Sequence, residues 1–237
     1  MLVAISQREV KKNDRIRDNL ENDYIKYYES FGLKLIPIPN TTTNIDWYFE
    51  NLSIKGIILT GGGDVNPELY NQKPKYEMDL SNNRDKIEKK LLNVAIDKNL
   101  PVLTECRGTQ FLNVFFGGSL IQNIKEELRS KVEHVNITHN IIIKDERTST
   151  FFNKKELEVN SFHNQGFTKE NLSKELKIFA ESEDGIIEGV YHKKYPIAGV
   201  LWHPERANSD NEFDKNFIQS FINKKLFWES SKQREGL

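Results

Sequence analysis

At 237 residues, 37% of them apolar and 29% charged, the chain can bury one sizeable core and is read as a single domain over residues 1–237. A formal charge of −1 offers no field to gather nucleic acid or an anionic membrane, and one cysteine excludes an internal disulfide. No apolar run approaches membrane-spanning length and the N-terminal stretch is too short for a signal peptide, so a cytoplasmic location is expected.

Short apolar runs alternate with amphipathic ones in the first half. The run "LVAIS" (2–6) predicts a buried strand, and Ile16, Leu20, Tyr24, Tyr27 and Phe31 predict a helix over roughly 15–31. Further strands are expected at "LKLIPIP" (33–39) and "GIILT" (56–60), the latter running into "GGGD". "DKIEKKLLNVAIDKN" (85–99) has helical spacing and "PVLTE" (101–105) is the next strand. Such alternation predicts an α/β protein, a mostly parallel sheet flanked by helices. After residue 119 the runs at 139–143, 157–162, 176–182, 185–192 and 197–203 are strand-like with few helices between them. They predict antiparallel additions in the C-terminal half, closed by a helix near 211–226 and a frayed tail, "ESSKQREGL".

Chemistry is expected at the carboxyl ends of the parallel strands. Gly61, Gly62 and Gly63 end one of them, and such a run either makes a tight turn or brings main-chain N–H groups to an anion. Cys106 ends another, where a strand bends into a helix. A nucleophile on such a bend projects above the sheet, and the helix behind it favours a thiolate. In "GVLWHPE", His203 follows a third strand, and Pro204 extends the chain so that Glu205 falls on the same side. Cys106, His203 and Glu205 thus supply nucleophile, base and orienting carboxylate. His163, in "NSFHNQGF", is placed at the site without a proton-transfer role; His134, His139 and His192 are read as satisfied surface histidines. No His, Cys or Asp spacing matches zinc, so neither a metal nor another cofactor is expected.

Five segments, "TGGGDVNPELY" (60–70), "RDKIEKKLL" (84–92), "CRGTQFLNVFFGGSLIQ" (106–122), "VNSFHNQG" (159–166) and "GVLWHPE" (199–205), occur in an order that resembles the class I glutamine amidotransferase superfamily. More narrowly the chain resembles its γ-glutamyl hydrolase branch, peptidase family C26. That resemblance implies a flavodoxin-like fold and cleavage of a γ-glutamyl amide through a glutamyl thioester on Cys106. It also implies an oxyanion hole from the backbone N–H groups of Arg107 and of Gly62 or Gly63. Gln110 would hold the glutamyl group, and main chain near Ser161 would meet its α-carboxylate. One stretch departs from the pattern: Thr104 stands where the bend ordinarily has glycine, and Glu105 sets a carboxylate beside the nucleophile.

The small-molecule substrate implied is a γ-glutamyl conjugate. The leading expectation is γ-glutamyl-CDP-amidate, giving the cytidine diphosphoramidate used to decorate capsules, with Lys73, Lys75, Arg84 and Arg206 near its diphosphate. The alternatives are γ-glutamyl-γ-aminobutyrate, a glutaminase subunit serving a synthase, or a thiol sensor on the same fold. Oligomeric state is left open.

Overall fold

A computed structural model describes residues 1–206 and 211–229. The chain opens with β1 (Leu2–Ile5) and then makes a hairpin, β2 (Arg8–Lys12) and β3 (Arg15–Asn19), where a helix from residue 15 was expected. The hairpin forms because Asn13 and Asp14 take positive φ, 51° and 56°, the two-residue turn that matches strand twist. Only afterwards does α1 (Asn22–Ser30) begin; Ile16, counted toward its apolar face, is exposed. β4 (Lys34–Pro37), α2 (Asp46–Asn51) and β5 (Ile57–Leu59) follow, then α3 (Asn82–Lys98), β6 (Val102–Glu105) and α4 (Arg107–Phe115).

The second half holds α5 (Ile124–Leu128), β7 (Val135–Ile143), α6 (Glu146–Phe152) and β8 (Glu156–Phe162). It continues with β9 (Leu176–Ser182), β10 (Ile187–His192), β11 (Ile197–Val200) and α7 (Asn211–Ile222). The expected terminal helix therefore stops at Ile222, and residues 230–237 of the expected tail lie outside the described residues. α5 and α6 went unforeseen; α6 starts where Asp145 Oδ2 accepts from the Thr148 N–H at 2.8 Å.

Among the described residues, nine strands form one sheet in the order β4-β1-β5-β6-β11-β10-β9-β7-β8. Neighbours from β4 to β11 pair in parallel, and those from β11 to β8 pair antiparallel. The central strands bury both faces, which is why they read as unbroken apolar runs. Ala4, Ile57, Leu59 and Val102 pack toward α3 and α4, while Val3, Ile5, Ile58 and Leu103 pack toward α1 and α7. Phe217, Ile218 and Phe221 of α7 are completely buried, each contributing about 1.5–3 kcal/mol of apolar burial. β6 and β11 lie side by side in the middle, with Glu105 opposite Val200. That register brings the chain after Glu105 and the chain after Val200 out at the same rim.

Candidate active site

Cys106 is the first residue past β6, and its backbone adopts φ 47°, ψ −110°, a strained conformation for a residue with a side chain. Its N–H donates to Val200 O at 2.8 Å, and its carbonyl accepts from Thr109 and Gln110 as α4 begins. The thiol is thus thrown up at the helix N-terminus, buried but lining a cavity of about 310 Å³. Thr104 fits this bend because the neighbouring strand supplies the room. A side chain on Gly199 would come within 1.8 Å of Thr104 Oγ1. Thr104 Oγ1 also shares a 2.8 Å hydrogen bond with Thr109 Oγ1, which donates to Val200 O at 2.7 Å.

His203 enters from β11. Asn160 of β8 grips its backbone on both sides, accepting from its N–H and donating to its carbonyl, each at 2.8 Å. Its Nδ1 lies 2.7 Å from Glu205 Oε1, which leaves the other ring nitrogen for the Cys106 sulfur. A methyl group on Gly61 would touch both, His203 Cε1 at 2.6 Å and Cys106 Cβ at 3.3 Å. Burial alone would lower the imidazole pKa, but the facing sulfur and the Glu205 carboxylate raise it to about 9. Burial would conversely raise Glu205, and His203 brings it below its ordinary value, so the pair carries opposite charges.

Glu105 turns away from the cavity. Tyr28 donates to it, and it lies beside Glu205, away from Cys106. Burial first, and then the Glu205 charge, lift its pKa well above the ordinary carboxyl range, so it stands as a neutral acid. The expected conflict with the nucleophile is removed by direction and by protonation.

The glycine loop is shaped from below by Arg84. Its guanidinium donates to the carbonyls of Thr60 (2.5 Å), Gly61 (3.0 Å) and Gly62 (2.6 Å), and to Glu88 at 2.8 Å. Gly62 and Gly63 have φ 86° and 72° and face the cavity. Arg84 is completely committed there, and neither Lys73 nor Lys75 lines the cavity, so none of the three is placed as the expected diphosphate contact. Arg206 does line the cavity, its guanidinium 4.6 Å above the Phe162 ring. The Arg107 side chain points inward to Asp85 and Glu88, leaving only its main chain near Cys106.

Of the other expected site residues, Gln110 and His163 line the cavity, and Gln110 Nε2 donates to Gln165 O at 2.8 Å. Ser161 is not among the residues that line it: its hydroxyl turns to His134 O at 2.8 Å, and residues 162–165 just after it form the wall. The surface reading of three histidines is corrected. His134 and His192 are buried, because both lie against the antiparallel half of the sheet, and His139 is partly buried. Arg8, Asp64, Asp79 and Asn164 also line the cavity and were not anticipated. Arg8 sits on the unforeseen hairpin and meets Asp79 at 2.7 Å; an Asn-Asp turn between alternating residues was the available signal.

A doubly wound sheet with a cysteine elbow at its central strand defines the glutamine amidotransferase-like class. A putative GMP synthase subunit from Thermoplasma acidophilum superposes with a TM-score of 0.63 at 21% identity, covering 94% of this chain and 95% of that one. The glutaminase domain of Trypanosoma brucei CTPS does so with the same TM-score at 14% identity, covering 96% of each. Within that class the chain belongs to the Peptidase C26 family, whose model matches residues 2–205, and it is a hydrolase of amide bonds. It is 32% identical over 209 residues to the putative glutamine amidotransferase-like protein YvdE of Lactococcus lactis, covering 84% of this chain and 86% of that protein. It is 30% identical over 215 residues to the γ-glutamyl-CDP-amidate hydrolase of Campylobacter jejuni, covering 89% and 93%.

Proposed function

We propose that the chain hydrolyses a γ-glutamyl amide through a thioester on Cys106, releasing glutamate. The observation that carries this reading is one alignment: an elbow cysteine facing an imidazole whose far nitrogen rests 2.7 Å from a buried carboxylate. The Cys106 sulfur attacks the γ-carbonyl carbon, and the oxyanion is met by main-chain N–H groups of Arg107 and of Gly62 or Gly63. Each such donor is worth about 2.7–4 kcal/mol of barrier. His203 gives its proton to the departing nitrogen, then takes one from the water that opens the thioester. Glu205 holds the ring's tautomer throughout. Gln110 and the 162–165 wall enclose the glutamyl group.

For the leaving group we favour cytidine diphosphoramidate, with γ-glutamyl-CDP-amidate as substrate. Two observations support this: near full-length similarity to the Campylobacter hydrolase, and two arginines on the cavity wall, Arg8 and Arg206, whose surface pairings with Asp79 and Glu21 a diphosphate would displace. The γ-glutamyl-γ-aminobutyrate hydrolase of Escherichia coli O157:H7 is 31% identical but covers only 71% of this chain. Glutamate release is to be assayed from γ-glutamyl-CDP-amidate, γ-glutamyl-γ-aminobutyrate and glutamine. The nucleotide conjugate is expected to have the highest kcat/KM, and Cys106→Ala to cost about 10⁴-fold or more on every substrate cleaved. Turnover by that variant near the wild-type rate would refute the thioester, and a better rate on either simpler amide would refute the substrate assignment.

A further inference from the structure

Behind the cavity wall, three imidazoles converge on one carboxylate. Glu188 of β10 is completely buried, and neither of its oxygens has a hydrogen-bond partner among the described residues. Its Oε1 stands 3.6 Å from His134 Nδ1, His139 Nε2 and His163 Nε2, and those three nitrogens are equally unpartnered. His134 and His163 are each 4% exposed.

That spacing is too long for an N–H···O hydrogen bond, which closes at about 2.7–3.2 Å. It suits donors sharing a cation: with zinc bonds of about 2.0–2.1 Å, the edges of the coordination tetrahedron are about 3.3–3.4 Å. His134 Nδ1, His163 Nε2 and a Glu188 oxygen all fall within 4.8 Å of one another. The outward nitrogens make the same case. His134 Nε2 lies 3.0 Å from Asp184 Oδ2, His163 Nδ1 3.0 Å from Gln165 O, and His139 Nδ1 3.3 Å from Asn140 O. When each outward N–H donates to its oxygen, each inward nitrogen presents a lone pair to the Glu188 carboxylate. Three lone pairs and an anion repel unless a proton or a metal cation lies between them, and at 3.6 Å none of the three contacts is short enough for a bridging proton. An outer oxygen fixing the tautomer of an inner ligand is also how metal-bound histidines are ordinarily held.

We propose that His134, His163 and Glu188 hold a divalent transition cation, zinc in the first instance, with His139 Nε2 beside Glu188 but outside the set of donors close enough to share the ion. Imidazole and carboxylate donors suit zinc and its neighbours, and the three ligands are all buried, which leaves a water to complete the tetrahedron. The ion would tie the chain entering β7, at His134, and β10, at Glu188, to the 162–165 segment, and so brace the wall of the active-site cavity. The assignment is independent of the substrate and of the thioester.

The full-length protein, purified without added metal and dialysed against a weak chelator, is expected to hold about one zinc per chain by elemental analysis. After removal with a strong chelator, zinc chloride should raise Tm, and cobalt chloride should give the visible absorption of a four-coordinate site. Glu188→Gln and His134→Gln should lose the ion. Asp184→Asn, one shell out, should keep the fold and weaken zinc affinity about 10–100-fold. The other His–carboxylate group among the described residues is Glu105, His203 and Glu205, so His203→Gln serves as the control and should keep its zinc. Zinc that survives Glu188→Gln or disappears in His203→Gln overturns the proposal. So does a wild-type chain whose Tm and spectrum neither metal changes.

Discussion

His203 lies between a sulfur and a carboxylate, and with its pKa at about 9 it is an imidazolium at neutral pH. The proposed reaction needs that proton for the departing nitrogen, so kcat/KM should fall as the pH rises through about 9. Glu205→Gln removes one of the two charges that raise the ring and should shift this alkaline limb downward; an unmoved limb would assign it to another group. The raised value also bears on folding. Its stabilising contribution is complete below the unfolded histidine value of about 6.5 and fades as the pH climbs through about 9, readable as a Tm difference from His203→Asn. Glu105 is a neutral acid, so Glu105→Gln should leave activity near wild type. Glu105→Leu strands the Tyr28 hydroxyl in the interior and should cost about 1–3 kcal/mol in urea unfolding.

At the scale of the element, the elbow is a joint property of β6 and β11. Thr104 fills the space opposite Gly199, so Gly199→Ala should destabilise by about 1–3 kcal/mol or more through overpacking. Adding Thr104→Gly should recover much of that loss, and a double-mutant cycle measures the coupling. Strictly additive losses would mean that the two residues do not share the space. The parallel strands were legible because burial on both faces leaves plain apolar runs, as in "GIILT" and "PVLTE". The β2–β3 hairpin was not legible: Ile16, Leu20 and Tyr24 mimic helical spacing, and the turn that overrides them rests on two residues, Asn13 and Asp14. Cys106, His203 and Glu205 were legible because each follows or flanks a readable strand. The histidines around Glu188 were not, since their convergence depends on antiparallel pairing across β7, β8, β9 and β10.

Across the whole molecule, the parallel half presents Cys106 and His203, while the antiparallel half provides the 162–165 wall and the hairpin adds Arg8 at the rim. This division of labour predicts separable effects. Arg8→Ala should cost about 1.5–3 kcal/mol in kcat/KM for the nucleotide conjugate, the range for a hydrogen bond to a charged group, and leave γ-glutamyl-γ-aminobutyrate unaffected. Equal losses on both substrates would place Arg8 against the glutamyl portion instead.

The pairing of β6 with β11 carries a consequence for biosynthesis. Cys106 is translated long before His203, and the strand that delivers His203 must insert between β6 and β10, both made earlier. On the proposed mechanism a ribosome-bound chain therefore holds an unarmed thiol until Glu205 has emerged and the last parallel strand has slotted home. Assembly of the sheet's centre is then the maturation step, and a partly synthesised chain spends no substrate.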